Sequence, residues 1–239
     1  MNTYLITGLA VIIATQNVRL VENFFEKMNR EVTTSIKKAN HVGQETKNKE
    51  KWIWMEGNLD VDRFRNGDKI PRARNAEQWV AASRRGEPVW CYYYDDANNG
   101  KKYGKLYNWY AVNDARGLAP EGWHIPNYDE LNEWHKSLGV DHFAMKKIIG
   151  TNDRDKKDNG TNKIFNGLPG GYINDSGEFR DLGNQGYWWT SSPALDFPGA
   201  DYNTARFQAW SFYMNYNTPI VFIQPNNMMD GYSVRCMKD

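Results

Sequence analysis

Apolar residues are spaced by two different rules along this chain. In the first part they recur at helical intervals. Val11, Ala14, Val18, Val21, Phe25, Met28 and Val32 step by 3, 4, 3, 4, 3 and 4 residues, an a/d seam over about three heptads. Asn17, Glu22, Lys27 and Arg30 lie off that seam. A helix with one apolar stripe needs a surface to cover it. Two arrangements are open. One is a self-associating stalk, with a trimer favoured, joined through Val11, Val18, Val21, Phe25, Met28 and Val32. The other is a helix packed on its own domain. The polar run Gln44–Lys51 closes this part and sets a boundary: an N-terminal helical oligomerisation segment at 1–50 and a second domain at 51–239. The apolar run Leu5–Thr15 covers about eleven residues, against the roughly 20 of a membrane span, so no span is expected. No Lys or Arg precedes that run, as one would in a signal peptide.

Beyond residue 51 the helical period fades, and Gly, Asn, Asp and aromatics recur every few residues. One helix stands out. Asn127 and Glu130 form the two halves of a capping box, Leu131, Trp134 and Leu138 supply an apolar face, and Gly139 stops the turn. Shorter helices are expected at 76–84 and 142–149. Strands are expected at 89–94, 186–191, 209–214, 219–223 and 232–237. Short strands, many turns and few helices describe an α+β domain.

Ten Trp and fourteen Tyr are expected mostly to fill a loop-rich core. Both residue types suit a binding surface, because each offers a large rigid face with a polar handle. A net charge of +1 supplies no basic stripe, so no nucleic-acid partner is expected. Cys91 and Cys236 are the only cysteines, and with no Cys-x-x-Cys or His/Cys cluster no metal is expected. They read as one disulfide or as two buried thiols. A bridge would close a loop of about 145 residues, worth roughly 4–5 kcal/mol, and would imply an oxidising compartment.

Several long motifs carry a resemblance. They are WMEGNLDVDRFRNGDKIP (54–71), PVWCYYYDD (88–96), YGKLYNWYAVND (103–114), RGLAPEGWHIPNYDELNEW (116–134), FNGLPGGY (165–172), GYWWTSS (186–192) and GYSVRCMKD (231–239). Together they resemble the Fibrobacter succinogenes major paralogous domain over essentially all of 52–239. The resemblance implies a C-type-lectin-like fold in which the first and last strands pair, bringing Cys91 beside Cys236. Such domains are similar to the variable proteins of diversity-generating retroelements, found in phage tail adhesins and bacterial surface proteins. It therefore implies an extracellular-facing receptor-binding protein, on a phage virion or a bacterial cell surface, with a glycan or protein receptor. The alternative is a structural module of a virion or envelope assembly.

Those retroelements randomise adenines in codons near the C-terminus. The stretch from Ser211 to Asp230 lies between the anchors AW (209–210) and GYSVRC (231–236). Asn215, Tyr216, Asn217, Asn226 and Asn227 fit the Asn- and Tyr-rich stretch of relatives. Thr218, Pro219, Ile220, Phe222 and Ile223 depart from it, and all five are reachable from an Asn codon by changing adenines. Gln224, Met228 and Met229 are not. The expected ligand-binding residues are Ser211, Tyr213, Asn215, Asn217, Thr218, Pro219, Ile220, Phe222, Gln224, Asn226 and Asn227. The loop residues Asp201, Tyr202 and Asn203 are placed at the border. Residues 220–223 form either an exposed apolar patch or a buried strand, and the exposure of Phe222 decides between them.

No enzyme chemistry is expected. No G-x-S-x-G, H-E-x-x-H or phosphate-binding glycine loop is present. His124 in GWHIP reads as a structural hydrogen-bonding residue, and His135 as an exposed helix position. Residues 153–162 lack the closing Glu of an EF-hand loop. Gln224-Pro225-Asn226 echoes the calcium tripeptide of sugar-binding lectins without the W-N-D partner those lectins use. No catalytic residue and no cofactor is assigned.

If the N-terminal seam self-associates, light scattering of the full chain will give a multiple of the 27.8 kDa monomer mass. Removal of residues 1–50 will then return a monomer; equal monomeric masses for both would reject the stalk.

Overall fold

A computed structural model of the chain describes residues 52–137, 165–195, 201–216 and 218–239, without the side chains of Tyr202, Thr218, Pro219 and Ile220. The seam from Val11 to Val32, the helix expected at 142–149, Leu138, Gly139 and Asn217 lie outside those residues.

The described helices are short: α1 Ala76–Arg84, α2 Ala97–Tyr103, α3 Trp109–Val112, α4 Tyr128–Ser137 and α5 Tyr202–Ala205. The capping box of α4 closes as the sequence dictates. Glu130 N donates to Asn127 Oδ1 and Asn127 N donates to Glu130 Oε2, both at 2.9 Å. Leu131 and Trp134, three residues apart, are the buried side of that helix. Asn75 caps α1 through Gln78 N, and α1 buries Trp79, whose Nε1 reaches Met229 O at 3.1 Å.

The strands among the described residues are β1 Trp90–Cys91, β2 Leu106–Asn108, β3 Trp123–His124, β4 Tyr172–Ile173, β5 Phe179–Arg180, β6 Gln185–Pro193, β7 Gln208–Asn215, β8 Thr218–Asn227, β9 Gly231–Tyr232 and β10 Met237–Lys238. They form three sheets, ordered β1-β2-β9-β4-β5, β10-β3 and β6-β7-β8. Every strand pair is antiparallel. Few helices beside antiparallel sheets make this an α+β domain, one compact unit from Lys51 to Asp239.

Only β6, β7 and β8 are long, and their register sorts the aromatic residues. Trp188 stands opposite Phe212, and Phe212 opposite Ile223. That row faces a cluster with Trp54, Leu131, Trp134 and Phe165. Phe165 meets Trp54 and Trp188 edge-on, each at 4.8 Å, the arrangement aromatic quadrupoles prefer. The alternate row turns toward a second cluster, where Trp189 stacks on Tyr232 at 4.4 Å. Both faces of β6 are therefore covered. Close backbone approach explains Gly231: a Cβ there would meet Trp79 at 2.6 Å and Ile173 at 2.4 Å.

The strand expected at 89–94 stops at Cys91 because the chain enters a 3-10 turn at Tyr93–Asp95. The strand expected at 232–237 splits into β9 and β10, which join different sheets. This split corrects the cysteine expectation. Cys91 lies opposite Leu106, β2 separates β1 from β9, and β10 pairs with β3. Cys91 and Cys236 are free, buried thiols in separate clusters. Burial pushes the Cys236 thiol up to about 12 and that of Cys91 higher still. A reductant is therefore expected to leave the melting temperature unchanged. A thiol reagent should count no accessible cysteine in the native protein and two after denaturation; none after denaturation would indicate a bridge.

Candidate ligand-binding face

β8 is the outer strand of the β6-β7-β8 sheet, and its exposure alternates. Val221 is buried, Phe222 is 38% exposed, Ile223 packs partly on the core and Gln224 is exposed. Within the described side chains, the segment is neither wholly an exposed patch nor wholly a buried strand. One face is core and the other meets solvent, as a strand period of two requires.

The outward row is built from rings in register. Tyr187 is opposite Tyr213, and Tyr213 opposite Phe222. Tyr187 and Tyr213 stack at 5.2 Å and 24°, and Tyr213 and Phe222 at 4.7 Å and 11°. Tyr172 joins the inner end at 4.6 Å from Tyr187. The Tyr187 hydroxyl lies 2.8 Å from both Asp181 Oδ2 and Gln185 Oε1. Burial, then the neighbouring Asp181 carboxylate, raises its pKa strongly. The row thus starts on the buried ring of Tyr187 beside half-buried Tyr172 and ends on the exposed ring of Phe222.

Gln224 and Asn226 follow Phe222 at alternate positions. Asn226 Nδ2 donates to Ser211 Oγ at 2.7 Å. Ser211 itself is fully buried and its hydroxyl also reaches Gln224 O at 3.3 Å, so it supports β8 instead of meeting a ligand. Asn227 also leaves the expected set. Its amide ties the turn after β8, donating to Asp175 Oδ2 at 3.1 Å and accepting from Met229 N at 3.0 Å. Asn215 is half-buried at the end of β7. Thr218, Pro219 and Ile220 are placed by backbone alone in β8.

Asp201 and Asn203 precede β7 at the end of the sheet where Gln208 faces Asn227, and not at Phe222. Exposed Asp201 caps α5, which leads into β7 at Gln208. Gln208 is five residues from Tyr213, about 17 Å along the strand. Two exposed apolar residues mark that end, Leu195 and Phe207. Their backbones are adjacent because Ala194 N donates to Gln208 O at 2.9 Å.

Tyr187, Asp181 and Phe207 were missed by sequence reasoning, because only the strand register and the Tyr187–Asp181 hydrogen bond bring them to this sheet. His124 acts structurally: its Nδ1 lies 2.8 Å from Asp239 Oδ1, which ties β3 to the chain end. Half-buried His135 is less exposed than expected, and burial lowers its pKa. Among the described residues no three His, Cys, Asp or Glu side chains group to hold a metal, and no helix is long and apolar enough to cross a membrane.

The Fibrobacter succinogenes major domain matches residues 50–238 of the chain. The chain belongs to that family. No curated protein and no solved structure matches it. In this Fibrobacter succinogenes major domain, GYWWTSS becomes β6, GYSVRCMKD becomes β9 and β10, and the sequence between them supplies the face just described.

In the turn after β8 sits a buried carboxyl, Asp230, hydrogen-bonded by the Tyr232 hydroxyl at 3.2 Å. Burial, and then the Asp175 carboxylate, raise Asp230 to about 7 from an ordinary 3.8. A raised folded pKa means that folding takes up a proton. The stability this proton carries is full below about pH 4 and is lost as pH rises to about 7. Urea unfolding of Asp230→Asn should show the variant gaining on the wild type across that window, by at most about 1.4 kcal/mol per pH unit. A pH-independent difference would mean that Asp230 is charged when folded.

Proposed function

We propose that this chain is a non-enzymatic receptor-binding protein, a displayed adhesin of C-type-lectin-like fold, whose contact surface is the outward face of β7 and β8. The observation that carries this reading is the in-register aromatic row ending on exposed Phe222, beside Gln224 and Asn226. An aromatic platform with neighbouring amides suits a glycan ring or a polar protein surface, and both are recognised by stacking plus directional hydrogen bonds. Three of the four large apolar side chains exposed among the described residues lie on this sheet or at its ends: Leu195, Phe207 and Phe222. Changing the codon of Phe222 or Gln224 would redecorate β8 while Val221 and Ile223 keep its inner face on the core, which is how variable surfaces are carried on fixed scaffolds. The reading places the protein outside the cell, on a phage tail or a bacterial surface, with the N-terminal segment as its oligomerising stalk.

The alternative is a structural module whose β8 face packs on a neighbouring subunit. Exposed apolar residues beside an outer strand would serve that role as well. One substitution separates the two. Phe222→Ala removes an exposed ring, so the melting temperature should move little. If the chain is an adhesin, the full-length variant will bind cells or glycan arrays recognised by the wild type about tenfold more weakly, a loss of about 1.4 kcal/mol. Unchanged binding with a smaller assembly in light scattering would favour the structural module.

A further inference from the structure

A cavity of about 220 Å³ lies outside the β6-β7-β8 sheet, among the start of α1, the turn after β1 and the β4–β5 hairpin. Its floor is apolar, formed by buried Trp79 and Ile173. Phe179 and Tyr94 line it as well, their rings meeting edge-on at 4.9 Å. An apolar cavity of about 150 Å³ holds a benzene molecule, so this one has room for a single substituted ring.

Tyr94 is held at this cavity against two ordinary preferences. It is 68% exposed, the most exposed large apolar side chain among the described residues. It and Asp95 have φ of 55° and 54°, a left-handed conformation in two consecutive residues that are not glycine. Each costs roughly 1–2 kcal/mol. Such strain persists only where the surroundings fix it, and it gathers at functional sites. Here Arg72 fixes Asp95 through both Nε and Nη2, and Asp95 N donates to Tyr92 O at 3.0 Å. The Tyr94 ring meets those of Tyr93 and Phe179 edge-on and leaves most of its surface in solvent.

The charge at the rim supplies the missing half of a ligand. Arg72 engages Asp95 Oδ1, leaving Arg74 only a long 3.7 Å approach to Oδ2. Two guanidinium groups share one carboxylate, and the Arg74 side chain is 64% exposed. An anion on the ligand would complete that pairing, and a carboxylate matches the planar fork of arginine.

We propose that this cavity is a second ligand site, independent of the β8 face, which takes a small aromatic carboxylate. The ring lies against Tyr94 and Phe179, and the carboxylate pairs with Arg74.

Saturation-transfer NMR on the full-length chain tests this with benzoate and its neutral analogue benzyl alcohol, each at up to about 10 mM, the range expected for so small a ligand. Benzoate should receive saturation on its ring protons and bind more tightly than benzyl alcohol. Arg74→Gln changes an exposed side chain, so the fold should persist. It should weaken benzoate about tenfold and leave benzyl alcohol unchanged. Tyr94→Gly should abolish transfer to both probes without lowering the melting temperature, because glycine accepts the left-handed φ freely. The proposal is overturned by any of three results: no transfer to benzoate, equal affinity for the two probes, or benzoate binding that survives both substitutions.

Discussion

The fold turns on one side-chain amide. Asn58 uses its full hydrogen-bonding capacity on four partners far away in sequence. Its Oδ1 accepts from Trp188 Nε1 at 2.9 Å and from Arg235 Nε at 3.1 Å. Its Nδ2 donates to Tyr103 O at 2.7 Å and to Ser233 Oγ at 3.2 Å. An asparagine amide has two donors and one oxygen with two lone pairs, so nothing is left over. Strands of two residues cannot register themselves, and this one group links the N-terminal motif, the end of α2, β6 and the C-terminal motif. Arg235 completes the arrangement. It is buried, donates to Phe165 O and lies over the Phe165 ring, and burial draws its pKa down to about 10. Removing either partner would leave buried polar atoms unmatched, the costliest kind of loss in a core.

That constraint shapes the candidate face. Trp188, held by Asn58, fixes β6, and β6 sets the register of β7 and β8. Burial then falls from strand to strand. β6 is covered on both sides, β7 keeps Tyr213 half-open, and β8 carries Phe222 and Gln224 in solvent. Variation at the outward positions of β8, Phe222 and Gln224, is therefore cheap in stability, whereas variation at Val221 or on β6 would enter the aromatic clusters.

What was legible in the sequence follows from what is local. The Asn127–Glu130 box, the Trp134 face and α1 depend on neighbours three or four residues apart, and all formed as read. The long strands 186–191 and 209–214 were legible as runs of aromatic residues between turn signals. Two-residue strands were not, because long-range partners create them. The cysteine pair was misplaced because β9 and β10 separate at residues that look continuous in sequence. Ser211 looked like a surface residue in a variable stretch, but its burial depends on the side chains packed beneath β7. Tyr94 gave no signal at all, since no residue spacing announces a left-handed tyrosine.

The two prolines of β8 complete the argument about the face. Pro219 and Pro225 cannot donate to a ladder, so a strand holding both is confined to an edge. An outer strand with an exposed ring invites pairing with other chains, and proline there blunts that tendency. The backbone of β8 is thus poor at recruiting another strand, while Phe222 and Gln224 stay exposed beside it. Recognition by side chains over a rigid edge is what a variable binding surface requires, and it leaves the hydrogen-bonded frame below unchanged.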